Sequence, residues 1–311
     1  MNEEGFTYDF SFLISEKDDK VFYSEGNVLG KALLLLKSVF KILGQVLSAN
    51  RYDIIFIQRE CFMLGTSIFE RLLSLSRAKI VFDFDDSIWL QNVSEANKKF
   101  SWLKNPNKTA QIIKLSHLII AGNEYLAHYA KQYNSNVVII LTTVDTDVYK
   151  NGLDKNKDSS KPICIGWSGS ITTIQHFEFA VPFLEKLKDK FGDKVIFTVI
   201  GDETYENAKL GVKGKAWKKE TEVKELMNFD IGIMPLPDNE WTKGKCGLKG
   251  LLFMSLEIPT IMSPVGVNAQ IIKDGENGLL ADDHEEWINK LSQLIEFAEL
   301  RKSLGIKGRK M

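Results

Sequence analysis

Three stretches in the second half of the chain combine glycine, proline and lysine in a way that suits the binding of an anion. They are KPICIGWSGSITTIQHF (161–177), VIFTVIGDE (195–203) and DIGIMPLPDNEWTKGKCGLKGLLFMSLEIPTIMSPVGVN (230–268). Each is an apolar run that breaks into a loop marked by Gly or Pro. Glycine lets backbone approach a ligand closely, and a helix N-terminus offers unpaired N–H groups to negative charge. The third stretch also carries Lys243, Lys245 and Lys249 just before or within the start of an apolar helix. Such a set fits a diphosphate bearing a further group.

Lys249 is the sharpest single candidate. In the first turn of CGLKGLLFMSL a cation opposes the helix dipole, and a bound anion removes that conflict. The alternative is a solvated lysine in a lysine-rich loop, where Lys245 and Gly247 are its neighbours. Gly166, Gly169 and Ser170 are expected to form the loop after a strand, either passing backbone N–H groups to phosphate or making an ordinary strand-to-helix turn. Gly201 with Asp202, and Val265 with Gly266, follow later strands and fit a ligand-lining role and a simple turn equally well. In the first half, Asp83, Asp85 and Asp86 suggest a carboxylate cluster for a metal. Alternation along the strand puts Asp83 and Asp85 on one face and Asp86 in the following loop, so no metal is expected there. His117, His128, His176 and His284 have no ligand spacing and read as structural.

Composition bounds the frame for these groups. The chain has 311 residues, 44% hydrophobic and 26% charged, which suits two medium soluble domains. A net charge of −1 supplies no global basic field and argues against nucleic acid as a partner. Cys61, Cys164 and Cys246 lack metal-ligand spacing and read as reduced thiols of a cytosolic protein. MNEEGFTYDF is acidic and has no apolar central region, unlike a signal peptide. The apolar segment KALLLLKSVFKILGQVL is interrupted by lysines and reads as too short and too charged to span a bilayer. It is expected to form an amphipathic helix with Leu33, Leu36, Val39, Phe40 and Leu43 on one face. That face is expected to pack against a sheet, with contact at a membrane surface as the alternative.

The elements that must position these groups alternate from end to end. Expected strands are 10–14, 53–58, 79–84, 117–122 and 136–141, with helices near 29–49, 64–76, 107–116 and 123–132. Residues 150–162, KNGLDKNKDSSKP, are polar and read as a linker. The alternation then restarts: strands ICIGW, VIFTVIG, DIGIMPL and PTIMSP, and helices near 174–190, 219–228, from 247 and from 283. This pattern predicts an α/β protein of two doubly wound Rossmann-like lobes, 1–155 and 156–311, with ligands at the carboxyl ends of the strands and a cleft between the lobes.

With these elements in place, the chain resembles a GT-B glycosyltransferase of glycosyltransferase family 4, and more narrowly a bacterial branch of surface-polysaccharide synthesis. The strings that carry the resemblance are RYDIIFIQRE (51–60), IVFDFDDSIW (80–89), LIIAGNEYLAHYA (118–130), VDTDVY (144–149), IGWSGS (165–170), KCGLKGLLFMSLEIPTIMSPVGVN (245–268) and DGENGLL (274–280). It implies a retaining transferase that moves a sugar from a nucleoside-diphosphate sugar to a glycan or lipid-linked acceptor, with no metal or other cofactor. The expected location is cytoplasmic, with peripheral contact at the inner face of the membrane left open.

The resemblance also implies roles. Lys249, joined by Lys245, would stabilise the leaving diphosphate in the C-terminal lobe. Gly166, Gly169, Ser170, Gly201, Asp202, Gly247, Val265 and Gly266 would line the donor pocket. Asp85 or Asp86 would meet the donor sugar, with a helix N-cap as the alternative. Asn123 would face the donor or cap its own helix, and Arg59 and Glu60 would face the acceptor or form a surface salt bridge. The family's helix carboxylate is replaced by Leu252, which accepts no hydrogen bond. Relative to the family, the chain is expected to lack a first strand and a last helix. These departures support a second reading, a non-catalytic nucleotide-sugar-binding or complex-forming scaffold.

Overall fold

The computed structural model describes residues 7–15, 27–90, 105–150 and 161–311, with the single positions 5, 18 and 21. The chain divides into two compact units. The first holds Met1–Gly122 and Leu126–Ile140, and the second holds Asn123–Tyr125 and Leu141–Met311.

In the first unit, helix α1 (Val28–Ser48) leads to strand β1 (Ile54–Gln58), followed by α2 (Ile68–Ser74), β2 (Lys79–Phe84), α3 (Lys108–Leu115), β3 (Leu118–Ala121), α4 (Glu124–Lys131, whose first two residues belong to the second unit) and β4 (Val137–Ile139). The four strands form one sheet in the order β1-β2-β3-β4, and every pair is parallel. Period-two burial in β2 places Ile80, Phe82 and Phe84 in the core.

The second unit contains β5 (Ile163–Ser168), α5 (Ile174–Phe191), β6 (Val195–Ile200), the small antiparallel pair β7 (Glu206–Asn207) and β8 (Val212–Lys213), and α6 (Glu222–Leu226). It continues with β9 (Ile231–Met234), α7 (Glu240–Lys243), α8 (Leu248–Ser255), β10 (Thr260–Met262), α9 (Asn268–Ile271), β11 (Leu279–Leu280), α10 (His284–Glu296) and α11 (Ala298–Arg309). Its parallel sheet runs β11-β10-β9-β5-β6. Strands of a parallel sheet are buried on both faces, and here two apolar clusters cover them. One joins Ile165, Val199 and Ile233 to Phe183 of α5 and Trp287 of α10, whose rings stack at 4.9 Å. The other joins Cys164 and Ile200 to Leu226 of α6 and Leu252, Phe253 and Leu256 at α8. Both units have the Rossmann-like α/β character with parallel sheets that the sequence predicts; the second sheet reverses direction at β5 and is doubly wound, whereas the four strands of the first follow one another in a single direction.

Several expectations are corrected. Residues 10–14 are not a strand: the segment hangs on polar side chains of α1. Ser38 donates to the carbonyl of Leu13 at 3.2 Å, and Lys41 donates to that of Phe12. Phe10 and Phe12 are left exposed. Helix α1 is apolar on two faces, and the packed one was not the one expected. Leu35, Val39, Ile42 and Val46 meet Phe62 and Phe69, whereas Leu33, Leu36, Phe40 and Leu43 are exposed. The helical run Val28–Arg51 is also longer than the quoted apolar segment, and by length and composition alone it could cross a membrane. The final helix is two helices, broken at Phe297, whose φ and ψ of −109° and 97° are extended. Residues 151–160 of the expected linker lie outside the described residues.

Candidate functional site

In the second unit, parallel strands place the ends of β5, β6, β9 and β10 on one edge of the sheet, and the glycine loops follow from that edge. Gly201 has φ +127°, and a Cβ there would lie 2.4 Å from the carbonyl oxygen of Gly169. The two loops therefore press together, and Gly169 N–H donates to Ile200 at 2.9 Å. Ser170 caps the turn into α5 through a reciprocal bond with Thr173. Gly166 is not in this loop. It lies inside β5, opposite Thr198 and Gly232, where a Cβ would overlap the ring of Phe229, so its role is close packing. Asp202 is buried, and its Oδ1 accepts from the N–H and hydroxyl of Thr204 at 2.9 and 2.6 Å, shaping its own turn.

The third loop builds the N-terminus of α8. Gly247 is the N-cap, with φ +73° and no side-chain cap. The first N–H groups of this eight-residue helix therefore have no capping side chain, a configuration suited to an anion. A Cβ on Gly247 would strike Ile271, and Oδ1 of the fully buried Asn268, which has no hydrogen-bond partner among the described residues, lies 3.5 Å from that point. Gly266, at φ +57°, comes so close to Lys243 that a Cβ would sit 2.7 Å from its carbonyl oxygen. Val265 is buried beside it.

The three lysines separate by partner. Lys243 pairs with Glu240 at 2.9 Å and Asp238 at 3.7 Å. Lys245 lies over the ring of Trp241, 5.3 Å from its centroid. Lys249 is largely buried, with its Nζ 3.8 Å from Oε1 of Glu222. Burial pushes the Lys249 ammonium below the usual lysine range, and Glu222 opposes the shift. Asn123, which belongs to the second unit, is 2% exposed and donates its amide to the carbonyls of Lys243 and Lys245 at 3.3 and 3.2 Å. It holds the loop that carries the lysines.

In the first unit, the ends of β1 and β2 bring predicted residues together. Arg59, at φ +66°, donates its N–H to the carbonyl of Asp83 at 2.8 Å, and its guanidinium lies 3.4 Å from Asp86. Glu60 pairs at 2.8 Å with Lys108, which is buried and also donates to the carbonyls of Phe62 and Leu64. Arg59 and Glu60 thus form ion pairs within their own unit. Asp85 is exposed just past the tip of β2. Burial, then the charge of Asp85, raises the Asp83 carboxyl above its ordinary range. No metal-holding group of His, Cys, Asp or Glu occurs among the described residues.

Residues 162–296 match the family described as glycosyl transferases group 1. This region is therefore similar to a group 1 glycosyl transferase domain. It contains Lys249 and the glycine loops, whereas Asn123 and the candidates of the first unit lie outside it. No curated protein sequence matches the chain. Among solved structures, HepE of Anabaena in complex with UDP and glucose is 14% identical, over 86% of this chain and 75% of that one, with a TM-score of 0.64. Sucrose-phosphate synthase of Thermosynechococcus elongatus is 12% identical, over 89% and 73%, with a TM-score of 0.67. S. aureus TarM in complex with Fondaparinux, alpha-GlcNAc-glycerol and UDP is 16% identical, over 75% and 47%, with a TM-score of 0.56. The chain thus spans about half the length of the TarM chain. At these identities the likeness shows the fold.

Sequence reasoning missed Glu222 and Tyr149. Glu222 opens α6, where an acid ordinarily just favours the helix dipole, so its type and place carried no separate signal. Tyr149 ends VDTDVY, a string that marks the family without a role for this side chain. The hydroxyl of Tyr149 donates to Oε2 of Glu222 at 2.6 Å. Burial, followed by that bond, raises the phenol to about 12.

Proposed function

We propose that the chain transfers a sugar, with retention of anomeric configuration, from a nucleoside-diphosphate sugar to a glycan or lipid-linked acceptor. The carrying observation is the N-terminus of α8, which has a glycine N-cap with no capping side chain and Lys249 in its first turn. Transfer requires stabilisation of charge on the departing diphosphate, and oriented N–H groups with one ammonium supply it without a metal. The likeness to group 1 glycosyl transferases and the UDP present in the HepE and TarM structures support a nucleotide donor. Gly169, Ser170, Gly201 and Gly266 would let backbone approach that donor, while Asp85 and Asp86 would meet the sugar.

The exposed apolar face of α1 supports a lipid-linked acceptor reached at the inner membrane surface. The helix contains Lys31, Lys37 and Lys41 and no acidic residue, which suits an anionic bilayer. Burial of Leu252 in the apolar cluster of α8 favours the alternative, a nucleotide-sugar-binding scaffold without transfer. The deciding experiment follows UDP-glucose and GDP-mannose by NMR in the presence of the chain and oligosaccharide or polyprenyl-phosphate acceptors. A product retaining the donor's anomeric configuration supports the transferase. Donor binding without transfer or hydrolysis supports the scaffold.

A further inference from the structure

Glu222 reaches Lys249, and Tyr149 reaches Glu222, from separate parts of the second unit. Glu222 is 5% exposed, and its two carboxylate oxygens have different partners. Oε2 accepts the hydroxyl of Tyr149 at 2.6 Å, which leaves Oε1 turned to the Lys249 ammonium at 3.8 Å. The Tyr149 backbone is itself anchored, because Arg309 of α11 donates to its carbonyl at 2.9 Å and to that of Thr146 at 3.2 Å. Leu252, one turn along α8 from Lys249, lies in the apolar cluster on which Tyr149 and Val223 pack. The carboxylate at this point therefore comes from α6.

An ammonium that is largely buried and placed at a helix N-terminus is doubly disfavoured. It loses water, and the unpaired N–H groups repel it. A buried carboxylate nearby counters both effects. The strands packed on α8, β9 and β10, carry no titratable side chain; α11 brings Arg309, whose guanidinium is directed to backbone carbonyls. Glu222 is the charged group that acts on Lys249. A lysine has three N–H donors, and a single ion-pair contact at 3.8 Å among the described residues leaves donors for an incoming anion.

We propose that Glu222, oriented by Tyr149, is a positioning residue that keeps the Lys249 ammonium charged and ready for the donor diphosphate. This rests on the donor reading above. Its action on the donor runs through Lys249.

The test is calorimetric binding of UDP and GDP between pH 6.5 and 9 to the wild-type chain, Glu222→Gln, Glu222→Asp, Lys249→Ala and the Gln/Ala double variant, each checked for cooperative unfolding. Glutamine keeps the bond to Tyr149 and removes the charge. Glu222→Gln should bind like wild type at the acidic end and lose about tenfold at the alkaline end, as expected if the Lys249 pKa falls by one unit or more. Glu222→Asp should recover part of that loss, and the pH-dependent effect should vanish when Lys249 is already alanine. A Glu222→Gln profile parallel to wild type, with Lys249→Ala still weakening binding, overturns the positioning role and leaves the donor site standing. Undiminished binding by Lys249→Ala overturns the donor reading itself. Should Glu222→Gln fail to unfold cooperatively, Tyr149→Phe provides the same comparison: a smaller alkaline loss supports the role, and a pH-independent profile refutes it.

Discussion

Asn123 donates its side-chain amide to the carbonyl oxygens of both Lys243 and Lys245. A side chain expected to meet the donor or to cap its own helix holds the loop that leads into α8. Asn123→Ala strands two carbonyls at a buried position and should cost about 1–3 kcal/mol of stability. Asn123→Asp should cost more, because its oxygens cannot donate to those carbonyls. Chemical denaturation ranks the two, and equal stability of wild type and Asn123→Ala would refute the assigned role.

Gly201 and Gly192 both have positive φ, yet only Gly201 has a close neighbour, the carbonyl of Gly169. Alanine at either position should lower stability through backbone strain, by about 1–3 kcal/mol. Only Gly201→Ala should also weaken nucleotide binding, because it displaces the Gly169–Ser170 turn. Thermal melts paired with UDP titration separate the effects, and parallel losses of binding would show that this turn does not line the donor.

Glu70 is fully buried; its Oε1 accepts the N–H of Cys61 at 2.9 Å, and Oε2 has no partner among the described residues. Burial raises its folded-state pKa, countered in part by Lys108. The unfolded chain ionises near the ordinary glutamate range, so the folded state binds the extra proton. The stability this group contributes is present below the unfolded pKa and is lost as pH rises through the folded one. Glu70→Gln should remove that pH dependence and gain about 1 kcal/mol at neutral pH. Denaturation midpoints from pH 4 to 8 check it, and an unchanged slope would contradict it.

The exposed face of α1 gives a prediction in which stability and binding diverge. Leu36→Ser with Phe40→Ser alters two exposed side chains and should change stability by less than about 0.5 kcal/mol each. If this face meets the membrane, the double variant should lose co-sedimentation with phosphatidylglycerol vesicles that the wild-type chain shows. Absence of vesicle binding by wild type would remove the membrane from the account.

The alternation of short β-rich runs and helical periods made both sheets legible: β2 falls on 79–84 as expected, and β5 and α5 are within one residue. The glycines at 169, 201, 247 and 266 fall in loops or at a helix start as expected, and Lys249 falls in the first turn of its helix. Periodicity showed that α1 is amphipathic but not which of its two apolar faces finds a partner, since Phe62 and Phe69 come from later in the chain. Gly166 read as loop because glycine is common there, whereas the Phe229 ring fixes it in a strand. The carboxylate beside Lys249 was illegible for the same reason: Glu222 precedes Lys249 by a helix and a strand, and only the fold joins them.

In the proposed function, Lys249 and the N-terminus of α8 hold a nucleoside diphosphate. The most direct test is calorimetric titration of the wild-type chain and Lys249→Ala with UDP and GDP at neutral pH. Wild type should bind one nucleotide saturably, and the variant should lose at least tenfold in affinity, about 1.4 kcal/mol of binding free energy. Binding of equal strength to both proteins, or none by a folded wild-type chain, would contradict this reading.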